Sequence, residues 1–174
     1  MNKYIPKMYK KDILDINYNI LKVKGIKCLI FDLDNTLLAV NKDIPEDEIC
    51  NKIKNIKKDF KIIILSNNTS DKRLSLAANK LGIDYIKFAL KPFKKGFKKV
   101  RKKYGLKNEE MCIIGDQIMT DVLGGNKFNI FTILTDPISE EELKVTGVNR
   151  FFEKRILKKL EKNKQFKRGE YYEW

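Results

Sequence analysis

Five short apolar runs punctuate the chain: Ile26–Phe31, Ile62–Leu65, Tyr85–Ala89, Met111–Ile114 and Ile130–Leu134. Several show little polar alternation, as strands covered on both faces do. The segments between them have a helical period instead. Glu46–Lys58 follows Pro45 and repeats Ile49, Ile53 and Ile56, while Asp71–Leu81 stops at Gly82. Phe93–Tyr104 sets Phe93, Phe97, Val100 and Tyr104 on one side and stops at Gly105, and Thr120–Lys127 is a shorter fourth helix. This alternation predicts a three-layer α/β/α sandwich around a mostly parallel, five-stranded sheet with right-handed crossovers.

Two pieces flank that core of about residues 25–135. Residues 1–25 mix Lys with Tyr, Ile and Leu and are expected to cover a face or edge of the sheet. Residues 150–168 read as a basic helix with Phe151, Phe152, Ile156, Leu157 and Leu160 on its apolar side. A length of 174 residues suits one domain, so residues 1–174 are read as a single unit. The first residues lack the apolar run of a signal peptide, and no stretch reaches membrane-spanning length. Cys28, Cys50 and Cys112 form no CxxC and cannot all pair. Two of them lie within apolar runs, which fits buried thiols in a reducing, cytoplasmic compartment.

Histidine is absent, which removes Ser-His-Asp hydrolysis, histidine phosphotransfer and His-ligated zinc catalysis. Carboxylates, lysines, hydroxyls and a hard metal remain available for chemistry. The polar residues that interrupt the apolar pattern fall at strand ends. Asp32 and Asp34 follow the first run, Ser66-Asn67-Asn68 the second and Lys91-Pro92 the third. Gly115-Asp116-Gln117 follows the fourth, with Asp121 just beyond. In open α/β sheets the carboxyl ends of the strands form the ligand edge. Each cluster alone has an ordinary reading as a turn, a cap or a surface charge. Their joint placement points to phosphoryl transfer. A carboxylate can attack phosphorus, a divalent cation held by carboxylates offsets the repulsion, and a lysine and a hydroxyl hold the moving oxygens. On this reading Asp32 and Asp116, on strands expected to be neighbours, clamp Mg²⁺.

DLDNT at Asp32–Thr36, SN at Ser66–Asn67, KP at Lys91–Pro92 and GDQIMTD at Gly115–Asp121 resemble the four ordered motifs of the haloacid dehalogenase-like (HAD) phosphatases. The resemblance implies a Rossmann-like, HAD-like fold. It makes Asp32 the nucleophile and Asp34 the acid/base, with Asp34 also giving its backbone carbonyl to Mg²⁺ beside Asp32 and Asp116. Ser66, Asn67 and Lys91 bind the substrate phosphate, and Thr36 and Asp121 support the site. An aspartate at position 34 favours a phosphatase over a transport ATPase or a dehalogenase.

Residues 37–60, and the 24 residues between Ser66 and Lys91, leave no room for a large cap domain. An open site suits a phosphate carried on something large. The net charge is +14, and it is uneven. Lys91–Lys107 holds nine basic residues and no acid, and Arg150–Arg168 holds nine against Glu153 and Glu161. Such stretches are either solvated helix faces or surfaces for anionic membranes or nucleic acid. LSNN, LGI, the TDVLGGN segment and the late NR-x-x-E at Asn149–Glu153 further resemble the capless HAD subfamily IIIA, in its phosphatidylglycerophosphate-phosphatase-like branch. That likeness implies a phospholipid substrate and a cytoplasmic protein able to sit peripherally on the membrane. Three other readings stay open: a nucleic-acid end phosphatase, a phosphatase of another phosphorylated metabolite, and a non-catalytic basic binding module.

Overall fold

The computed structural model describes residues 3–139 and 147–173, with the side chains of residues 147–151 outside the description. Strands β1 (Met8–Tyr9), β2 (Cys28–Phe31), β3 (Lys61–Leu65), β4 (Asp84–Ile86), β5 (Met111–Gly115) and β6 (Phe131–Leu134) form one sheet. The order is β1-β6-β5-β2-β3-β4, and every pairing is parallel. Helices α1 (Tyr18–Val23), α2 (Asp47–Ile56), α3 (Asp71–Leu81), α4 (Lys94–Tyr104) and α5 (Leu123–Phe128) alternate with these strands, and α6 (Gly147–Lys162) follows.

The β2 side chains show why the runs lack polar alternation. Leu29 and Phe31 pack with Ile53 of α2 and Ala77 of α3 on one face. Cys28 and Ile30 pack with Phe97 and Val100 of α4 on the other. Ile62 and Ile64 of β3 divide from Ile63 and Leu65 in the same way. Both faces are covered, so every position is apolar. The chain runs from β2 outward to β4, then returns to the other side of β2 for β5 and β6. The reversal in strand order therefore lies between β2 and β5, where Phe31 pairs with Ile114. Strands diverge into a crevice at that point.

Four expectations need correction. The sheet has six strands, not five, because Met8–Tyr9 adds to the edge of β6. Tyr9 also exchanges backbone hydrogen bonds of 3.0 Å each way with Tyr172, so the C-terminal tail completes that edge. Strand β4 stops at Ile86 instead of reaching Ala89, because Phe88 and Leu90 take the left-handed conformation with φ of 50° and 56°. The helix expected over Thr120–Lys127 is shortened to α5 and preceded by a wide turn over Ile118–Val122. In α6, Ile156, Leu157 and Leu160 pack with Tyr9 and Phe166 as expected, but Phe152 is exposed. The side chains of Asn149, Arg150 and Phe151 lie outside the described residues.

Candidate active site

At the end of β2, the Asp32 N–H still donates to the Ile114 carbonyl (2.9 Å), which keeps Asp32 on the sheet beside β5. The chain then bends. The Leu33 carbonyl accepts from the N–H groups of Thr36, Leu37 and Leu38 at 3.3, 3.0 and 3.1 Å. Asn35 sits at φ 60° within this turn, a conformation Asn tolerates better than most residues. The bend separates the two aspartates. Asp32 Oδ1 lies 2.8 Å from Lys91 Nζ, whereas the Asp34 carboxylate accepts from Arg73 Nε (3.2 Å) and Asn68 Nδ2 (3.4 Å). Continued strand geometry would have put both carboxylates on one side of the chain, and the bend avoids that crowding.

Beyond β3, Ser66 is locked by its backbone, its N–H donating to Ile86 and its carbonyl accepting from Ala89. Its hydroxyl accepts from the Asn68 N–H at 3.0 Å. The Asn67 amide brackets the Lys91 backbone, accepting from its N–H (2.7 Å) and donating to its carbonyl (2.9 Å). Asn67 therefore aims Lys91, whose ammonium lies 2.7 Å from Asp121 Oδ1 as well as beside Asp32.

After β5, the wide turn forms because the Gln117 carbonyl accepts from both the Asp121 N–H (3.0 Å) and the Val122 N–H (3.3 Å). This folds Asp121 back beneath the strand end. Its Oδ2 accepts from the Gln117 N–H and the Thr120 hydroxyl, each at 3.2 Å. Gly115 makes the fold-back feasible, since a Cβ there would lie 2.3 Å from the Asp121 carboxylate. Asp116 lies alongside, 3.5 Å from the Thr36 hydroxyl that donates to it.

The outcome is a buried acidic trio. Asp32, Asp116 and Asp121 each offer a carboxylate oxygen within 4.8 Å of the others, and the latter two are fully buried. Lys91 is the cation paired with two of them. Burial pushes the Asp32 carboxyl up to about 8; the Lys91 ammonium opposes this, while Asp121 and Asp116 add to it. Burial alone would lower Lys91, but the Asp121 and Asp32 carboxylates more than offset that and raise it. Among the described residues, the trio brings three buried carboxylates together with Lys91, and the donors are hard oxygens. Both features fit a divalent cation of the Mg²⁺ type. The trio contains Asp121, read from the sequence only as support, while the Asp34 carboxylate turns away to Arg73.

Arg73 and Arg168 were not legible as site residues, and Asn68 was read only as part of the polar cluster after the second run. Arg73 also donates to the carbonyls of Ala39 (2.9 Å) and Lys42, tying α3 to the turn that carries Asp34. Arg168 donates to the Asp116 backbone carbonyl (2.9 Å), to Glu153 (3.1 Å) and to Asp136 (3.0 Å). Nothing in their local sequence marks either arginine.

A parallel α/β sheet with these four motif clusters at its carboxyl edge, and only α2 and its loops between β2 and β3, defines a HAD-type phosphatase. Residues 1–139 match the family model described as mitochondrial PGP phosphatase, and the chain belongs to that family. It is 36% identical over 160 residues to a Bacillus subtilis (strain 168) protein named "Probable phosphatase YqeG", covering 91% of this chain and 92% of that one. It is 30% identical over 147 residues to phosphatidylglycerophosphate phosphatase 1, chloroplastic/mitochondrial, of Arabidopsis thaliana; the match spans 79% of this chain but 42% of that protein. A HAD family enzyme of Bacteroides thetaiotaomicron, solved with magnesium and inorganic phosphate, shares the fold with a TM-score of 0.51 and 13% identity. That match covers 71% of this chain and all of that one.

Proposed function

We propose that this chain, acting as a single catalytic domain, is a Mg²⁺-dependent phosphomonoester hydrolase that removes the terminal phosphate of phosphatidylglycerophosphate. The observation that carries the reading is Asp32, held 2.8 Å from Lys91 and within the trio completed by Asp116 and Asp121. The lipid substrate draws its support from the family and from the name of the Arabidopsis relative. The positive charge of the chain agrees with an anionic lipid surface.

In this mechanism the Asp32 carboxylate attacks phosphorus, and the bond to the leaving alkoxide breaks. Asp34 gives that oxygen its proton, then takes a proton from the water that hydrolyses the aspartyl-phosphate. Lys91 and the Ser66 hydroxyl hold the transferring oxygens. Arg73 and Asn68 orient Asp34, and Asn67 orients Lys91. Asp32 and Asp116, with Asp121 close by and the Asp34 carbonyl as a further donor, would hold Mg²⁺. When bound, the ion neutralises charge between nucleophile and phosphate. The protein works at the cytoplasmic face of the membrane; among the described residues no helix is long and apolar enough to span a bilayer.

The test is phosphate release from phosphatidylglycerophosphate in mixed micelles, from soluble phosphomonoesters and from 3′-phosphorylated oligonucleotides, each with Mg²⁺ or EDTA. Preferred turnover of the lipid, lost in EDTA and in Asp32→Asn, is expected. Preference for oligonucleotides would overturn the lipid assignment, and undiminished turnover by Asp32→Asn would overturn the mechanism.

A further inference from the structure

Two phenylalanines sit where fold stability would choose other residues. Phe88 lies at φ 50° and is 55% exposed. A bulky side chain is strained in that conformation, where Asn or Gly is at ease. Phe93 is 70% exposed at the N-cap of α4, where no side chain caps the helix and Ser or Asn would. Neither ring gains a place in the core for what it costs. A local rule broken without compensating packing points to function.

Both residues sit on the loops that carry the site. The Phe88 N–H donates to the Asn68 carbonyl (3.2 Å), and the next residue, Ala89, donates to Ser66. Phe93 follows Lys91 by two residues, its N–H donating to Leu90 (2.8 Å). Across the mouth, exposed Ile138 donates its N–H to the carbonyl of Asn35 in the turn after Asp32. Exposed Lys94 and Lys95 continue from Phe93, with exposed Lys98 and Lys99 one turn on. Among the described residues none of these four lysines is paired with a carboxylate, and Lys91–Lys107 contains no acid. Apolar rings beside unpaired cations match an anionic bilayer, whose headgroups take the charges and whose acyl boundary takes the rings.

We infer that Phe88 and Phe93, with Lys94 and Lys95, form the surface by which the mouth of the site seats on an anionic membrane. The inference deepens the proposed lipid-phosphate reading and rests on it. Seating the rim, rather than a distant face, brings a membrane-embedded phosphomonoester to Asp32 without extracting the lipid.

The experiment is co-sedimentation of the full chain with phosphatidylcholine vesicles, with and without phosphatidylserine. Wild type is expected to bind the anionic vesicles. Phe88→Asn with Phe93→Ser should weaken that binding by about tenfold per ring, from the apolar area withdrawn. Lys94→Gln and Lys95→Gln should each cost about fivefold on anionic vesicles and leave neutral ones unaffected. All four substitutions should leave turnover of a soluble aryl phosphate unchanged, so loss of binding is not loss of fold. Asp32→Asn should bind vesicles as wild type does. Absent binding by wild type, or binding indifferent to the Phe pair, would overturn the inference. So would a dimer in sedimentation equilibrium that the Phe pair dissolves, since the rings would then cover one another. Vesicle binding without turnover of any phosphomonoester would instead strike the phosphatase reading and leave the surface standing.

Discussion

Mg²⁺ should stabilise this protein by an amount that grows with pH. In the metal-free fold three carboxylates crowd around one ammonium, and burial lifts Asp32 to about 8. A free aspartate titrates near 4. Between about pH 4 and pH 8 the folded state therefore holds a proton that the unfolded state releases. Metal-free stability falls as pH rises through that window. A bound cation must displace that proton, so its apparent affinity should climb about tenfold per unit over the same window. At a hundredfold excess over the dissociation constant, binding adds about 2.7 kcal/mol. For a chain of 174 residues that corresponds to a rise in Tm of about 5–11 °C. Thermal melts by circular dichroism at pH 6, 7 and 8, with Mg²⁺ or EDTA, read both trends. Asp116→Ala should lose most of the Mg²⁺ effect. A shift that is independent of pH, or retained by Asp116→Ala, would refute the placement of the cation in this trio.

Arg73→Ala should lower kcat by about ten- to a hundredfold with little change in KM, because it frees the Asp34 carboxylate from the guanidinium 3.2 Å away; partial recovery by Arg73→Lys in steady-state assays separates positioning from folding. Gly115→Ala places a Cβ 2.3 Å from the Asp121 carboxylate and should cost about 1–3 kcal/mol by chemical denaturation, together with Mg²⁺ affinity by calorimetry. Arg168→Ala removes the guanidinium that joins Glu153, Asp136 and the Asp116 carbonyl and should cost about 1.5–3 kcal/mol in urea unfolding.

The sheet was readable because β2, β3, β5 and β6 are buried on both faces, which forces continuous apolar runs. Parallel topology then made Asp32 and Asp116 neighbours before any coordinate was known. Strand β1 was not readable: Met8–Tyr9 is too short to carry a pattern, and its place depends on Tyr172, far along the chain. The overlong third strand has a similar cause. Tyr85–Ala89 is apolar, but Phe88 exchanges the strand conformation for a left-handed one, and composition does not encode that turn. Within the site, the motif residues stand at strand ends and so declared themselves. Arg73 reaches Asp34 from α3, and Arg168 reaches Asp116 across 52 positions, so both contacts exist only in the folded chain. Asp121 joins the acidic trio because Gly115 leaves space for a wide turn, a geometric consequence that spacing alone does not reveal.

The central claim is that Asp32 carries the phosphoryl group. Asp34→Asn should slow hydrolysis of the intermediate more than its formation when the leaving group is an activated aryl phosphate, which needs little protonation. Acid-quenched Asp34→Asn, digested and mapped by mass spectrometry, should show one added phosphoryl group on Asp32, absent in EDTA and in Asp32→Asn. Phosphate on any other residue, or turnover by wild type with no phosphorylated Asp32 in the trapped variant, would contradict the account.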